Sequence, residues 1–158
     1  MPEYLLAKTD EEYAEARKLF SAYAAWLHID LSFQHFEEEL SGLRSMYALP
    51  FGGILLCREE GEYIACVAIR KIDPDNGELK RMYVKPEHRH LGIGKELLKK
   101  SVELALLCGY KRIRLDTLDH MEPAVKLYTS FGFRETAAYY YNPIEGAVFF
   151  ELEIVGEQ

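Results

Sequence analysis

The stretch Val84-Lys85-Pro86-Glu87-His88-Arg89-His90-Leu91-Gly92-Ile93-Gly94-Lys95 constrains this chain more than any other. An apolar, strand-like run ends at Val84, a basic loop follows, and a long helical pattern opens at Gly92. A helix start presents unpaired backbone N–H groups and the positive end of the peptide dipoles. Gly92 and Gly94 carry no side chain, so a ligand can come close to the backbone. Such a site suits a phosphate or pyrophosphate. Two phosphate motifs fail here. A P-loop needs Ser or Thr where Glu96 stands and a glycine where Arg89 stands. A dinucleotide fingerprint needs a third small residue where Leu97 stands. The pattern Arg/Gln-x-x-Gly-x-Gly/Ala is matched in full by Arg89 to Gly94. Read alone, the two glycines could also do no more than shape a strand-to-helix turn.

The rest of the chain supplies an α/β frame. Thr9-Asp10-Glu11-Glu12 reads as a capping box that opens a helix over 8–27. Tyr13, Ala16, Phe20, Tyr23 and Leu27 recur at helical spacing and form its apolar face. A second short helix is expected near Ser32, with Phe33, Phe36, Leu40 and Leu43 inward and Asp30 or Ser32 as cap. Apolar runs at 53–57, 63–69 and 78–84 are separated by Glu59-Glu60-Gly61-Glu62 and Asp73-Pro74-Asp75-Asn76-Gly77, which predicts an antiparallel meander. A helix over 92–108 stops at Gly109, a strand spans 113–117, a helix spans 123–131 and ends at Gly132, and a last strand spans 148–154. This order argues for parallel pairing in the second half. No repeat or linker interrupts residues 1–158, which read as one domain.

Charge and composition narrow the function. Nineteen basic against twenty-six acidic residues give a net charge of -7, which disfavours binding along a nucleic-acid backbone. No apolar run reaches the roughly 18–20 residues of a membrane span. The N-terminus lacks the basic-then-apolar signature of a secretory signal, so a cytoplasmic protein is expected. Cys57, Cys66 and Cys108 form no CxxC pair and read as buried free thiols. The histidines have no metal-site spacing, so no metal is expected; His88 and His90 read as lying near phosphates or solvent.

The flanks of the glycine loop extend its pattern. Glu78-Leu79-Lys80-Arg81-Met82-Tyr83-Val84-Lys85-Pro86-Glu87 precedes it, and Ala124-Val125-Lys126-Leu127-Tyr128-Thr129-Ser130-Phe131-Gly132-Phe133 follows downstream. With these segments the sequence resembles the GNAT superfamily of acetyl-CoA-dependent N-acetyltransferases over nearly the whole chain. Leu31-Ser32-Phe33-Gln34, Leu115-Asp116-Thr117-Leu118 and Tyr140-Tyr141-Asn142-Pro143 are similar to a bacterial subgroup of unassigned substrate. The resemblance implies a single GNAT-like domain of α/β class, with a splayed, mostly antiparallel central sheet flanked by about four helices. It implies acetyl-CoA as co-substrate, wedged between the fourth and fifth strands. The backbone of Met82, Tyr83 and Val84 would run beside the pantetheine arm. The amides of Arg89, His90, Leu91, Gly92, Ile93, Gly94 and Lys95 would wrap the pyrophosphate. One departure is Met121, where many family members carry an Asn that contacts the CoA arm.

Acetyl transfer to an amine needs a deprotonated nitrogen, donors for the carbonyl oxygen and a proton for the leaving thiolate. The resemblance casts Tyr128 as general acid, Glu78 as general base and the Met82 N–H as oxyanion donor. Each has a plainer reading. Tyr128 shares helical spacing with Leu127 and Phe131, as a core aromatic would. Glu78 could pair with Lys80, its same-face neighbour, and a water chain could serve as base instead. Asp116 could hold a cationic amine or cap the next segment, where Asp119 competes. Phe33, Tyr47, Tyr139, Tyr140, Tyr141 and Asn142 could line the acceptor pocket or simply pack. The acidic balance, with Glu78 and Asp116, points to a small cationic acceptor. The expected activity is acetyl transfer to the primary amine of a small molecule by direct attack in a ternary complex. A non-catalytic acyl-CoA-binding module and a protein N-terminal or lysine acetyltransferase are the alternatives. An exposed final strand could pair two subunits into a homodimer.

Overall fold

A computed structural model describes residues 1–155 of the chain. The capping box forms as the sequence predicts. Thr9 Oγ1 accepts from the Glu12 N–H at 3.1 Å, and the Glu12 carboxylate accepts from the Thr9 N–H at 3.0 Å. Two N–H groups that the helix cannot satisfy internally are thereby paired. Helix α1 (Asp10–Leu27) follows and buries Tyr13, Ala16, Leu19 and Phe20.

The meander predicted for the middle of the chain forms as β2 (Gly53–Glu59), β3 (Glu62–Asp73) and β4 (Asn76–Val84), each antiparallel to the next. With β1 (Glu3–Leu6), β5 (Arg112–Leu118), β6 (Arg134–Thr136) and β7 (Ala147–Glu153) they form one sheet in the order β1-β2-β3-β4-β5-β7-β6. The β4–β5 contact alone is parallel. Helices α1, α2 (Phe36–Ser41) and α3 (Leu43–Met46) cover one face around Phe20, Ile54, Leu56 and Tyr83. Helices α4 (Ile93–Leu107) and α5 (Glu122–Phe131) cover the other around Ile69, Leu97, Ile113 and Phe133.

Three expectations are corrected. The short helix near Ser32 is a 3-10 turn at Ser32–Gln34 followed by α2 and α3, because His35 adopts a left-handed φ of 58° and Gly42 interrupts the helical run. Among the described residues five α-helices flank the sheet, in keeping with the expected sheet flanked by about four. The last strand, β7, is interior, flanked by β5 and β6, so the edge through which subunits were expected to pair is occupied. Cys57 and Cys66 are buried free thiols, but Cys108 is only half-buried.

The sheet opens at one place. Strands β4 and β5 are in register only at Asn76, Gly77 and Glu78 against Arg112, Ile113 and Arg114. Beyond that, β4 stays on β3 while β5 stays on β7 along its whole length. Leu79–Val84 and Leu115–Leu118 thus border a wedge-shaped gap.

A bulge lies on the β4 side of this gap. The register passes from Cys66↔Tyr83 to Ala68↔Lys80, so Arg81 and Met82 together oppose Val67. Arg81 has a left-handed φ of 59°. That conformation costs a non-glycine residue about 1–2 kcal/mol. Its guanidinium is held bidentately by Glu39 of α2, at 3.0 and 2.8 Å. Both side chains are buried. Tyr47 donates its hydroxyl to the same carboxylate at 2.9 Å, and Tyr13 donates to the Tyr47 carbonyl at 3.0 Å. Burial pushes the Glu39 carboxyl up, but Arg81, Lys80 and Tyr47 outweigh it and hold it below its usual value. Tyr47, read from sequence as an acceptor-pocket residue, is therefore a core residue: it is fully buried beneath this ion pair.

Glu39→Gln leaves the Arg81 charge buried without its partner. The expected loss is about 3–5 kcal/mol in urea unfolding. The double variant Glu39→Leu/Arg81→Met is expected to recover most of it, because no orphaned charge remains. A single-variant cost below about 1 kcal/mol would show that solvent reaches the guanidinium.

Candidate active site

The gap between β4 and β5 is the floor of a cleft of about 750 Å³. Its β4 wall offers free backbone donors. The Lys85 N–H bonds to Ile64 of the preceding strand at 2.9 Å. Successive N–H groups of a strand point to opposite sides. That of Val84 therefore points into the gap that β5 has left, and Met82, in the bulge, lines the same gap. The side chains of Met82, Tyr83 and Val84 also line the cleft.

The glycine loop closes one end. Arg89 Nε donates to the Val84 carbonyl at 2.9 Å, and its guanidinium lies 4.5 Å from the Trp26 ring centroid and 5.7 Å from that of Tyr83. These contacts pin the loop to β4 and α1. His90 (φ 68°) and Gly92 (φ 81°) are both left-handed, which curls the chain and turns backbone amides toward a common centre. Gly92 caps α4 and no side chain occupies the helix start. A Cβ at Gly94 would meet only Leu127 Cδ2, at 3.6 Å, so protein packing does not require glycine there. The space it leaves is on the cleft, which His88, Arg89, His90, Gly92, Ile93 and Gly94 line. Leu91 and Lys95 are exposed and lie outside the cleft lining. Free amides, a helix start and room at Gly94 fit a pyrophosphate.

Tyr128 stands on the opposite wall. Pro123 in the first turn and left-handed Gly132 at the end fix the short helix α5 that carries it. Its ring packs edge-on against Phe133, with centroids 5.7 Å apart. Yet it lines the cleft, and its hydroxyl makes no hydrogen bond among the described residues. Burial pushes the phenol well above its usual value, so it stays protonated. The core reading of the ring holds, and the residue also lines the cleft. Met121 precedes α5, caps it with no side-chain bond, and offers the cleft a thioether in place of an amide.

The other end gathers Phe33, Gln34, Lys80, Asp116 and Asn142. Asp116 accepts from the Tyr140 hydroxyl and from Asn142 Nδ2, the latter at 2.8 Å. Gln34 Nε2 donates to the Tyr140 oxygen at 2.7 Å, tying the 3-10 turn to the loop after β6. Tyr140 works from behind Asp116 and is not itself on the cleft wall. Tyr141, 83% exposed, points away from the cleft and is no pocket residue. Glu78 also departs from expectation. It is buried, lies off the cleft, and accepts from Arg70 Nε at 2.9 Å and the Tyr139 hydroxyl at 2.6 Å. Burial pushes its carboxyl up, but Lys80, Arg70 and Tyr139 hold it below its usual value. A carboxylate so engaged does not face the gap as a free base, and its ion-pair partner is Arg70 rather than Lys80.

Lys80 is the cleft residue that sequence reasoning missed. It is 5% exposed, yet it lines the cleft, and its one hydrogen bond goes to Gln34 Oε1 at 3.4 Å. Burial pulls its ammonium below the ordinary 10.5 to about 8, although Glu78 opposes the shift. Tyr23 and Trp26 of α1 also reach the cleft. Tyr23 looked like one more member of an apolar face, and nothing in the sequence marked Trp26.

Known proteins share this arrangement. The sequence profile of the Acetyltransferase (GNAT) family matches residues 10–133. An uncharacterised N-acetyltransferase of Schizosaccharomyces pombe is 38% identical over 149 residues, spanning 93% of this chain and 91% of that protein. A GNAT family acetyltransferase of Staphylococcus aureus superposes with a TM-score of 0.81 at 20% identity, over 98% of this chain and 100% of the other. One from Elizabethkingia anophelis, solved with acetyl-CoA bound, gives a TM-score of 0.66 at 20% identity, over 96% and 97%.

The Lys80 environment has a measurable consequence. Between about pH 8 and pH 10.5 the unfolded chain binds more protons than the folded one, so stability rises with pH across that window. Lys80→Met removes this contribution. Its stability relative to wild type is expected to be greatest below about pH 8 and to shrink steadily toward pH 10.5 in urea unfolding. A pH-independent difference would mean that the ammonium titrates as it does in water.

Proposed function

The chain belongs to the GNAT family of N-acetyltransferases, with acetyl-CoA as co-substrate, and we propose that it acetylates the primary amine of a small molecule by direct attack in a ternary complex. The carrying observation is that Tyr128, with no hydrogen bond to its hydroxyl among the described residues, lines the same cleft as Met82 and the glycine loop. The amide cradle at Gly92 and Gly94 would hold the pyrophosphate at one end. The pantetheine arm would then run along the free β4 edge, with Val84 and Met82 as donors.

In this reading the neutral amine attacks the thioester carbonyl carbon and forms the C–N bond. The carbonyl electron pair moves onto oxygen, which accepts from the Met82 N–H. The nitrogen gives its surplus proton to water in the open cleft. Collapse breaks the C–S bond, and the thiolate takes a proton from the Tyr128 hydroxyl. Solvent returns that proton to Tyr128. Burial keeps the phenol protonated until the thiolate forms, so a hydroxyl proton is available at the departing sulfur. Glu78 acts as a positioning group, holding Tyr139 and Arg70 beneath the acceptor end. The Gln34–Tyr140 bond joins the two lips of that end, which supports a small acceptor over a protein tail.

Tyr128→Phe tests the assignment. Acetyl-CoA binding by calorimetry is expected to persist, while kcat for thiol release with an amine panel falls about a hundredfold. Wild-type turnover in the variant would reduce Tyr128 to packing. No acetyl-CoA binding by folded wild type, with desulfo-CoA and ADP as comparisons, would overturn the whole reading.

A further inference from the structure

We propose that Lys80 holds an anionic group of the acceptor, so that the amine acetylated in this cleft also carries a carboxylate. This rests on the acetyl-transfer reading and specifies its substrate class.

The charge pattern around the acceptor end leads there. Three carboxylates and three cations lie close together, and nearly all are engaged. Arg70 is paired with Glu78, which also accepts from Tyr139. Arg81 is paired with Glu39, which also accepts from Tyr47. Asp116 accepts from Tyr140 and Asn142. Lys80 is the exception. Among the described residues no carboxylate lies within 4.0 Å of its Nζ. Its one partner is a neutral amide oxygen at 3.4 Å, a weak contact.

An ammonium has three donors, and lysines this deeply buried are normally paired. Here the unpaired charge lies on the wall of the cleft, not sealed in the core. A carboxylate entering the cleft would supply the missing partner to a largely buried ammonium, where a charge-assisted bond is strong. A second ammonium there, as on a polyamine, would meet like charge at short range. The sequence expectation of a cationic acceptor relied on Glu78 and Asp116. Glu78 is neutralised by Arg70 away from the cleft. Asp116 remains, linked to Lys80 through the Gln34–Tyr140 chain, so the acceptor end carries both a cation and a carboxylate on the cleft. That polarity matches a zwitterion: carboxylate toward Lys80, amino group toward Asp116.

The test compares amino acids of the α, β and γ type with their own carboxamides, and with spermidine, as acceptors for wild type and Lys80→Met. Lys80→Gln serves if the Met variant fails to fold. Wild type is expected to favour the acids in kcat/KM by about tenfold to hundredfold. The variant is expected to lose that preference through KM, with acetyl-CoA affinity unchanged. A second arm needs no turnover. Calorimetry in the presence of CoA measures N-acetyl amino acids against their N-acetyl carboxamides, and the acid forms are expected to bind wild type better than the variant. Best turnover with carboxamides or spermidine overturns the inference and leaves acetyl transfer standing. Thiol release with no panel member overturns the small-amine reading, and the binding arm then decides the Lys80 assignment alone. Equal binding of both product forms to wild type and variant overturns it.

Discussion

The bidentate contact between Arg81 and Glu39 is the interaction on which the rest of the site depends. It compensates a left-handed residue in the middle of a strand and so keeps a bulge where a regular ladder would otherwise run. By the alternation of a regular strand, Glu78 and Lys80 face the helix α1 side and Arg81 would face α4. The bulge returns Arg81 to the α1 side, where Glu39 waits, and sends the Met82 side chain into the α4 core. A buried ion pair is often no more stabilising than apolar residues of the same shape. Its gain here is register. It joins the short helices after α1 to one particular residue of β4, and thereby fixes one lip of the cleft relative to the other.

The opening of the sheet has an equally simple origin. Neither β4 nor β5 is frayed. Each stays paired with its outer neighbour, β4 through the bulge at Arg81 and β5 along its whole length, and only the inner ladder between them stops, after Glu78. The cleft is therefore bordered on both sides by antiparallel pairing. The glycine loop adds amides at one end, and the 3-10 turn with the 139–142 loop adds polar side chains at the other. Met82 and Tyr128 both line the cleft between these two ends.

Much of this was legible from the amino acids. Gly92 and Gly94 after a strand, the capping box at Thr9 and the turns of the meander are local signals, and local chemistry settles them. The elements that escaped, β1 and β6, have four and three residues, too few for alternation to register. The presence of β6 also turned β7 from an edge into an interior strand. The misplaced site residues share one cause. Side-chain type predicts burial well but not which neighbour fills a given cavity. Tyr47 and Tyr141 looked alike in sequence; one lies under an ion pair and the other in solvent. Glu78 and Lys80 read as a same-face pair, yet Arg70, directly across in β3, reaches the carboxylate first and leaves the lysine to the cleft. A bulge invisible in sequence then brings a second cation, Arg81, to the same face.

The clamp of Arg89 on Trp26 carries a last implication. Trp26 is the one tryptophan of the chain, and it touches both the phosphate loop and the cleft wall. Indole emission is sensitive to a nearby guanidinium and to the polarity around the ring. The protein thus contains its own optical sensor at the mouth of the nucleotide end. A ligand at the glycine loop, or a rearrangement that loosens Arg89 from Val84, would alter the surroundings of that indole.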